Sequence, residues 1–151
     1  MPHRVYVLGL PDVIAGRIPD DIQPVGWRYI LEWGGDAVAT AETRIASDDL
    51  PAFSGFNSGP YVASTVRALD RAANLSLARG RALTVRVLRI PALNLVALWL
   101  HGDDVDLFTP LEPAPPGVEP GKQYQASELF AALRSEAEKR IHIGPSDLTG
   151  G

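Results

Sequence analysis

The sequence predicts an α+β domain, a mixed or mainly antiparallel sheet of about five to six strands with two helices packed on it. Three observations carry that prediction. Short β-branched and aromatic runs are separated by Gly- and Asp-containing turns. Two segments instead carry apolar residues at helical spacing, one closing at Gly80 and one close to the C-terminus. The 151 residues are 46% apolar and 21% charged, which suits one folded domain with a sizeable core.

Taken in order, residues 4–10 place Val5, Tyr6 and Val7 in a short run closed by Pro11, a strand pattern. Residues 11–24 hold Pro11, Pro19 and Pro24 beside adjacent Asp20 and Asp21, and these breakers predict a loop. Residues 27–33 are aromatic and apolar, and Gly34 and Gly35 separate them from the alternating small residues of 36–43. Two extended runs about a Gly-Gly turn predict a hairpin. Residues 45–59 read as a loop whose Phe53 and Phe56 pack back onto the domain. Pro60 suits a first helical position, where its missing N–H costs nothing. From there Val62, Val66, Leu69, Ala73 and Leu77 form one stripe, and Gly80 supplies the left-handed cap.

Residues 82–101 give the strongest strand signal. Leu83, Val85 and Val87 alternate with Thr84, Arg86 and Leu88 until Pro91, which cannot donate to a ladder and so marks a bulge or a change of direction. Residues 93–100 are apolar on both parities, as expected for a central strand covered on both faces. A turn at 101–104 and a short return over 105–109 complete a second hairpin. The five prolines of 110–121 make a stiff connector. The last helix carries Leu129, Phe130, Leu133 and Ala137 on one stripe, Gln125 or Ser127 being its cap. The domain so read spans 1–141, with 142–151 a frayed tail. Each half runs extended segments and then a helix, although no shared residue pattern aligns the two.

Composition narrows the function. Zero cysteine excludes disulfides, thiolate metal sites and cysteine nucleophiles. The net charge of −4 repels phosphate backbones, so nucleic-acid binding would need Arg79, Arg81 and Arg86 to converge. Arg86 and Arg89 fall on opposite strand faces, which dilutes such a patch. No secretory leader, lipidation motif or membrane-length apolar run stands in the chain, and the expected location is cytoplasmic. No zinc spacing links the three histidines, no G-x-S-x-G elbow surrounds a serine, and the glycines of 54–60 lack the G-K-[ST] of a phosphate loop.

Two features are left. The 101–106 turn sets His101 beside Asp103, a catalytic pair for acid–base work, and Asp103, Asp104 and Asp106 offer oxygens to a hard cation. The simpler account is that Asp and Gly are what a tight turn selects. The expectation is accordingly no metal, no cofactor and no catalytic set. The second feature is aromatic: Trp27, Tyr29 and Trp33 lie at even spacing on one strand, and form core if covered or a protein-binding surface if exposed. The sequence thus points to a small non-catalytic interaction or assembly module, acting with a separately encoded protein partner or as a homo-oligomer, with no nucleic acid and no membrane. The alternative is a small enzyme or ligand binder built on the 101–106 turn.

Overall fold

The computed structural model describes residues 2–80 and 82–142, without the side chains of 75–79. The elements are β1 (His3–Val7), α1 (Leu10–Ala15), β2 (Gly26–Trp33), β3 (Asp36–Ile45), β4 (Pro51–Asn57), α2 (Pro60–Arg79), β5 (Thr84–Ile90), a 3₁₀ turn (Pro91–Leu93), β6 (Leu95–His101), β7 (Asp106–Pro110), β8 (Tyr124–Gln125) and α3 (Ala126–His142). The α+β class holds. The described residues carry eight strands and three helices rather than five to six and two. Residues 143–151, most of the expected tail, lie outside the described residues.

The sheet order is β4-β3-β2-β1-β5-β6-β7-β8. Only β1 and β5 pair in parallel; their neighbours are antiparallel. Each half is therefore a four-strand meander followed by a helix, and the two first strands meet at the centre. A two-fold axis along the strands, between β1 and β5, relates the halves topologically. Such a rotation also exchanges the faces of the sheet, and the helices obey it. On one face α2 buries Ala68 and Ala72 against Val5, Val87, Leu98 and Leu100. On the other, α3 buries Leu129, Phe130, Leu133 and Ala137 against Trp99 and Phe108, with Val13 of α1 alongside.

Four elements depart from the sequence reading. β8 pairs Tyr124 and Gln125 with β7, where Gln125 was expected as a helix cap. The other three depart for local reasons. Residues 10–15 are helical in the proline-rich stretch of 11–24, because Pro11 stands in the first turn and Gly16 closes the helix at φ 73°. Asp12 Oδ2 also accepts from the Gly9 N–H at 3.2 Å. Residues 51–57 form a strand instead of a loop. A register shift opposite Glu42 and Thr43 breaks its alternation, so no period-two pattern marks it in the sequence. In α2 the buried residues among the described side chains are Val62, Ser64, Thr65, Ala68 and Ala72, while Val66 is half-buried and Ala73 exposed; Leu77 of the expected stripe lies outside the described side chains. Small residues let the helix approach the sheet, which turns its inner face away from the expected stripe.

Pro91 proves to be a change of direction. The 3₁₀ turn ends at Asn94, φ 52°, and β5 folds back on β6 as a hairpin. β6 is buried from Leu95 to Leu100, as its two-sided apolar pattern requires. The proline-rich segment sends Leu111 and Val118 into the core, and its Gly121 N–H returns to the Pro110 carbonyl at 2.8 Å.

Candidate functional site

Cross-strand partners on neighbouring strands share a face. Following the register from β4 to β8 gives one row: Phe53, Thr43, Trp27, Arg4, Arg86, Trp99, Phe108 and Tyr124. At its covered end Trp99 stacks on Phe108 at 5.5 Å, and Phe108 meets Phe130 of α3 at 6.3 Å. In its middle the Arg86 guanidinium carbon lies 4.9 Å from the Tyr6 ring centre and 4.8 Å from that of Trp99. That guanidinium is held by two aromatic faces. Its Nε is buried without a hydrogen-bond partner.

Beside this arginine, His101 ends β6 opposite Asp106 of β7. Asp106 Oδ1 accepts from Trp99 Nε1–H at 2.7 Å and lies 2.7 Å from His101 Nδ1. Against an ionised carboxylate that ring nitrogen is the donor, which leaves Nε2 as the basic position. A cavity of about 300 Å³ opens here, lined by Arg86, His101 and Asp106 together with Tyr6, Trp99 and Asp20. Among the described residues Asp20, in the loop after α1, is the one acid brought there from outside the hairpin. The expected pairing of His101 with Asp103 gives way to His101 with Asp106. Asp103 faces a separate cavity with Leu83 and Gly102. Among the described residues no three His, Asp or Glu side chains gather as a metal-ligand group, so Asp103, Asp104 and Asp106 are not brought together as one.

At its other end the same row emerges from cover. Trp27 is half-buried beneath Arg4, whose guanidinium carbon lies 5.3 Å from its ring. Tyr29 and Leu31 are 37% and 38% exposed, Phe53 and Phe56 70% and 60%. The register shift in β4 sets Phe53 opposite Thr43 and Phe56 opposite Ala41, so both phenylalanines reach this face. Phe53 and Phe56 therefore do not pack back onto the domain. Trp33, past a second register shift at Leu31 and Glu32, stands at the hairpin tip and is 81% exposed. The three tryptophans thus divide: Trp99 is core, Trp27 a margin and Trp33 surface.

The opposite face carries a buried ionic group that sequence reasoning passed over. Glu42 accepts from Arg28 Nε at 2.8 Å and from Arg89 Nη1 at 2.6 Å, and Arg28 Nη2 also donates to it. Arg28 and Glu42 are cross-strand partners, and Arg28 in turn faces His3. Burial first, then the N-terminal ammonium and Arg28, hold the His3 imidazole below its ordinary value of 6.5. The signal available in the sequence was parity: Arg28, Ile30 and Glu32 occupy the strand face away from Trp27.

Of the basic run, Arg81 and the side chain of Arg79 lie outside the described residues, and Arg86 is committed to its aromatic sandwich. Among the described residues no helix is long and apolar enough to cross a membrane. No family model, curated protein or solved structure matches this chain.

Proposed function

We propose that this chain is a cytoplasmic protein-interaction module that docks a partner on the uncovered face of β2, β3 and β4. The observation that carries the reading is the exposure of Phe53 and Phe56, 70% and 60%, on one sheet face with Tyr29 and Leu31. Exposed apolar side chains gathered in this way mark interaction sites, whereas scattered ones do not. Aromatic residues are also the anchors that carry most interface energy. β4 is in addition an edge strand, with one side of its backbone unpaired within the sheet.

The partner this face suits best is a second copy of the chain. Tyr29, Leu31, Phe53 and Phe56 carry no charge, so two such faces meet without like-charge repulsion, as an isologous contact demands. Size-exclusion chromatography with light scattering tests this on the purified protein. The wild type is expected to give a mass that rises with concentration toward a dimer, and Phe53→Ser/Phe56→Ser to give a folded monomer. A wild type that stays monomeric throughout overturns self-association, and a double variant that still dimerises moves the interface elsewhere.

A second reading is favoured by one observation, the 2.7 Å contact of His101 with Asp106 in a cavity shared with Arg86 and Asp20. An oriented imidazole beside a cation can bind, or exchange a proton with, a small polar ligand. A thermal-shift screen of small metabolites tests it. The expected result is a stabilising compound whose effect disappears in His101→Gln; a hit unchanged by that substitution, or no hit, contradicts it.

A further inference from the structure

The Arg28, Glu42 and Arg89 group does not balance. Two guanidiniums share one carboxylate, and both carboxylate oxygens are engaged. The group therefore carries one net positive charge, with Arg28 and Glu42 3% and 5% exposed and the Arg89 side chain 38% exposed at its edge. Buried charge is costly unless it is paired, and an arginine cannot shed its proton to escape. Arg28 Nη1 is buried with no hydrogen-bond partner, so its donors are withheld from water and unused within the fold.

These groups border a cavity. About 210 Å³ of space is lined by Arg28, Arg89, Asn57, Asn94 and Tyr61, with the apolar start of β6 as a wall. Among the described residues no acid lines it. Asn57 and Asn94 are exposed and bring amide donors to its rim. Tyr61 belongs to the first turn of α2, a helix of 20 residues whose N-terminal end carries positive potential. The helix end alone would mean little. The unpartnered Nη1 of the almost fully buried Arg28, on a side chain bordering the same space, is the independent sign of a missing acceptor.

We propose that this cavity binds the carboxylate group of a small organic acid, with Arg28 and Arg89 as its charged partners and Asn57 and Asn94 at its mouth. A carboxylate carries the single negative charge that neutralises the group, and its planar pair of oxygens matches guanidinium donors. Phosphate, nearer two charges at neutral pH, overcompensates. The space is smaller than the pockets that enclose drug-sized ligands, which restricts the acid to a few heavy atoms beyond its carboxylate.

Acetate is the probe, titrated into the full chain at a constant ionic strength of about 0.1 M while NMR follows the Arg28 Nε–Hε signal. The expected result is a saturable shift with acetate and none with chloride. Asn57→Asp places a competing carboxylate at the mouth and is expected to weaken acetate at least about tenfold. Asn94→Asp, at a left-handed position that Asp tolerates, repeats the test if the first variant does not fold. Equal response to chloride, a shift that never saturates, or an affinity unmoved by the aspartate overturns the site. Phosphate binding more tightly than acetate overturns the carboxylate assignment.

Discussion

Removing the charge of Glu42 is expected to be among the most damaging polar substitutions in this protein. Glu42→Gln keeps the shape and one acceptor oxygen but strands Arg28, whose side chain is 4% exposed. Breaking one partner of a buried pair costs about 3–5 kcal/mol, chiefly from the charge left behind. Arg89, with its side chain 38% exposed, turns to water and adds little. The glutamine oxygen recovers part of one bond, so the expected loss is about 3 kcal/mol. Urea denaturation measures it as a fall in midpoint at unchanged slope. A second arm separates charge from packing. Arg28→Met/Glu42→Leu removes both buried charges and is expected to cost less than Glu42→Gln alone. A Glu42→Gln loss below about 0.5 kcal/mol, the scale of an ordinary surface change, refutes the reasoning. A double variant worse than the single one also refutes it.

Further outcomes follow from the same geometry. Phe108→Ala removes a ring with 0% exposure that stacks on Trp99 at 5.5 Å, and is expected to lower stability by about 3–5 kcal/mol in denaturant titration. Gly26→Ala drives its new methyl to 1.9 Å from the Thr43 carbonyl oxygen, so β2 and β3 must separate there. The expected cost is about 1–3 kcal/mol, with faster amide exchange around Gly26 and Thr43 as the local check. His3 binds its proton less readily when folded than its ordinary value of 6.5 implies, so the unfolded chain takes up more protons as pH falls past that value. Stability held above that pH is therefore lost on acidification, and His3→Gln is expected to flatten the change; parallel curves for the two proteins would contradict it.

How much of this was legible depended on whether the deciding contact was local. The interior stripe of α3 is made of large apolar residues, so Leu129, Phe130 and Leu133 announced both the helix and its face. The ends of α2 were legible from Pro60 and Gly80, but its face was not, since a close approach to the sheet favours Ala68 and Ala72 over Val66. β4 carried Pro51, Ser54 and Gly55 and a broken alternation, and only its partner β3 makes it a strand. The strand parities of Arg86 and Arg89 were correct from sequence and did separate the two sites. What parity could not supply was the company each keeps: Arg86 meets Tyr6 and Trp99, and Arg89 meets Glu42, across pairings far apart in the chain. His101 was singled out beside Asp103, yet Asp106 rather than Asp103 became its partner because strand pairing sets the two opposite each other.

The doubling of a four-strand meander and a helix gives these sites a common origin in the fold. Each helix crosses one face, and the topological two-fold sets them on opposite sides. Near the centre of the sheet both faces are covered, which is why β6 is apolar throughout. At the β2, β3 and β4 end one face has no helix among the described residues, and the sequence leaves aromatic residues there.

Because the chain has no cysteine, a single introduced thiol labels one place only. Spin labels at Ser54→Cys, on exposed β4, and at Ser135→Cys, on the exposed side of α3, read the distance between copies directly. Docking through the uncovered face predicts a short intermolecular distance from position 54 and a longer one from 135. No intermolecular coupling at 54, or a shorter distance at 135, contradicts it.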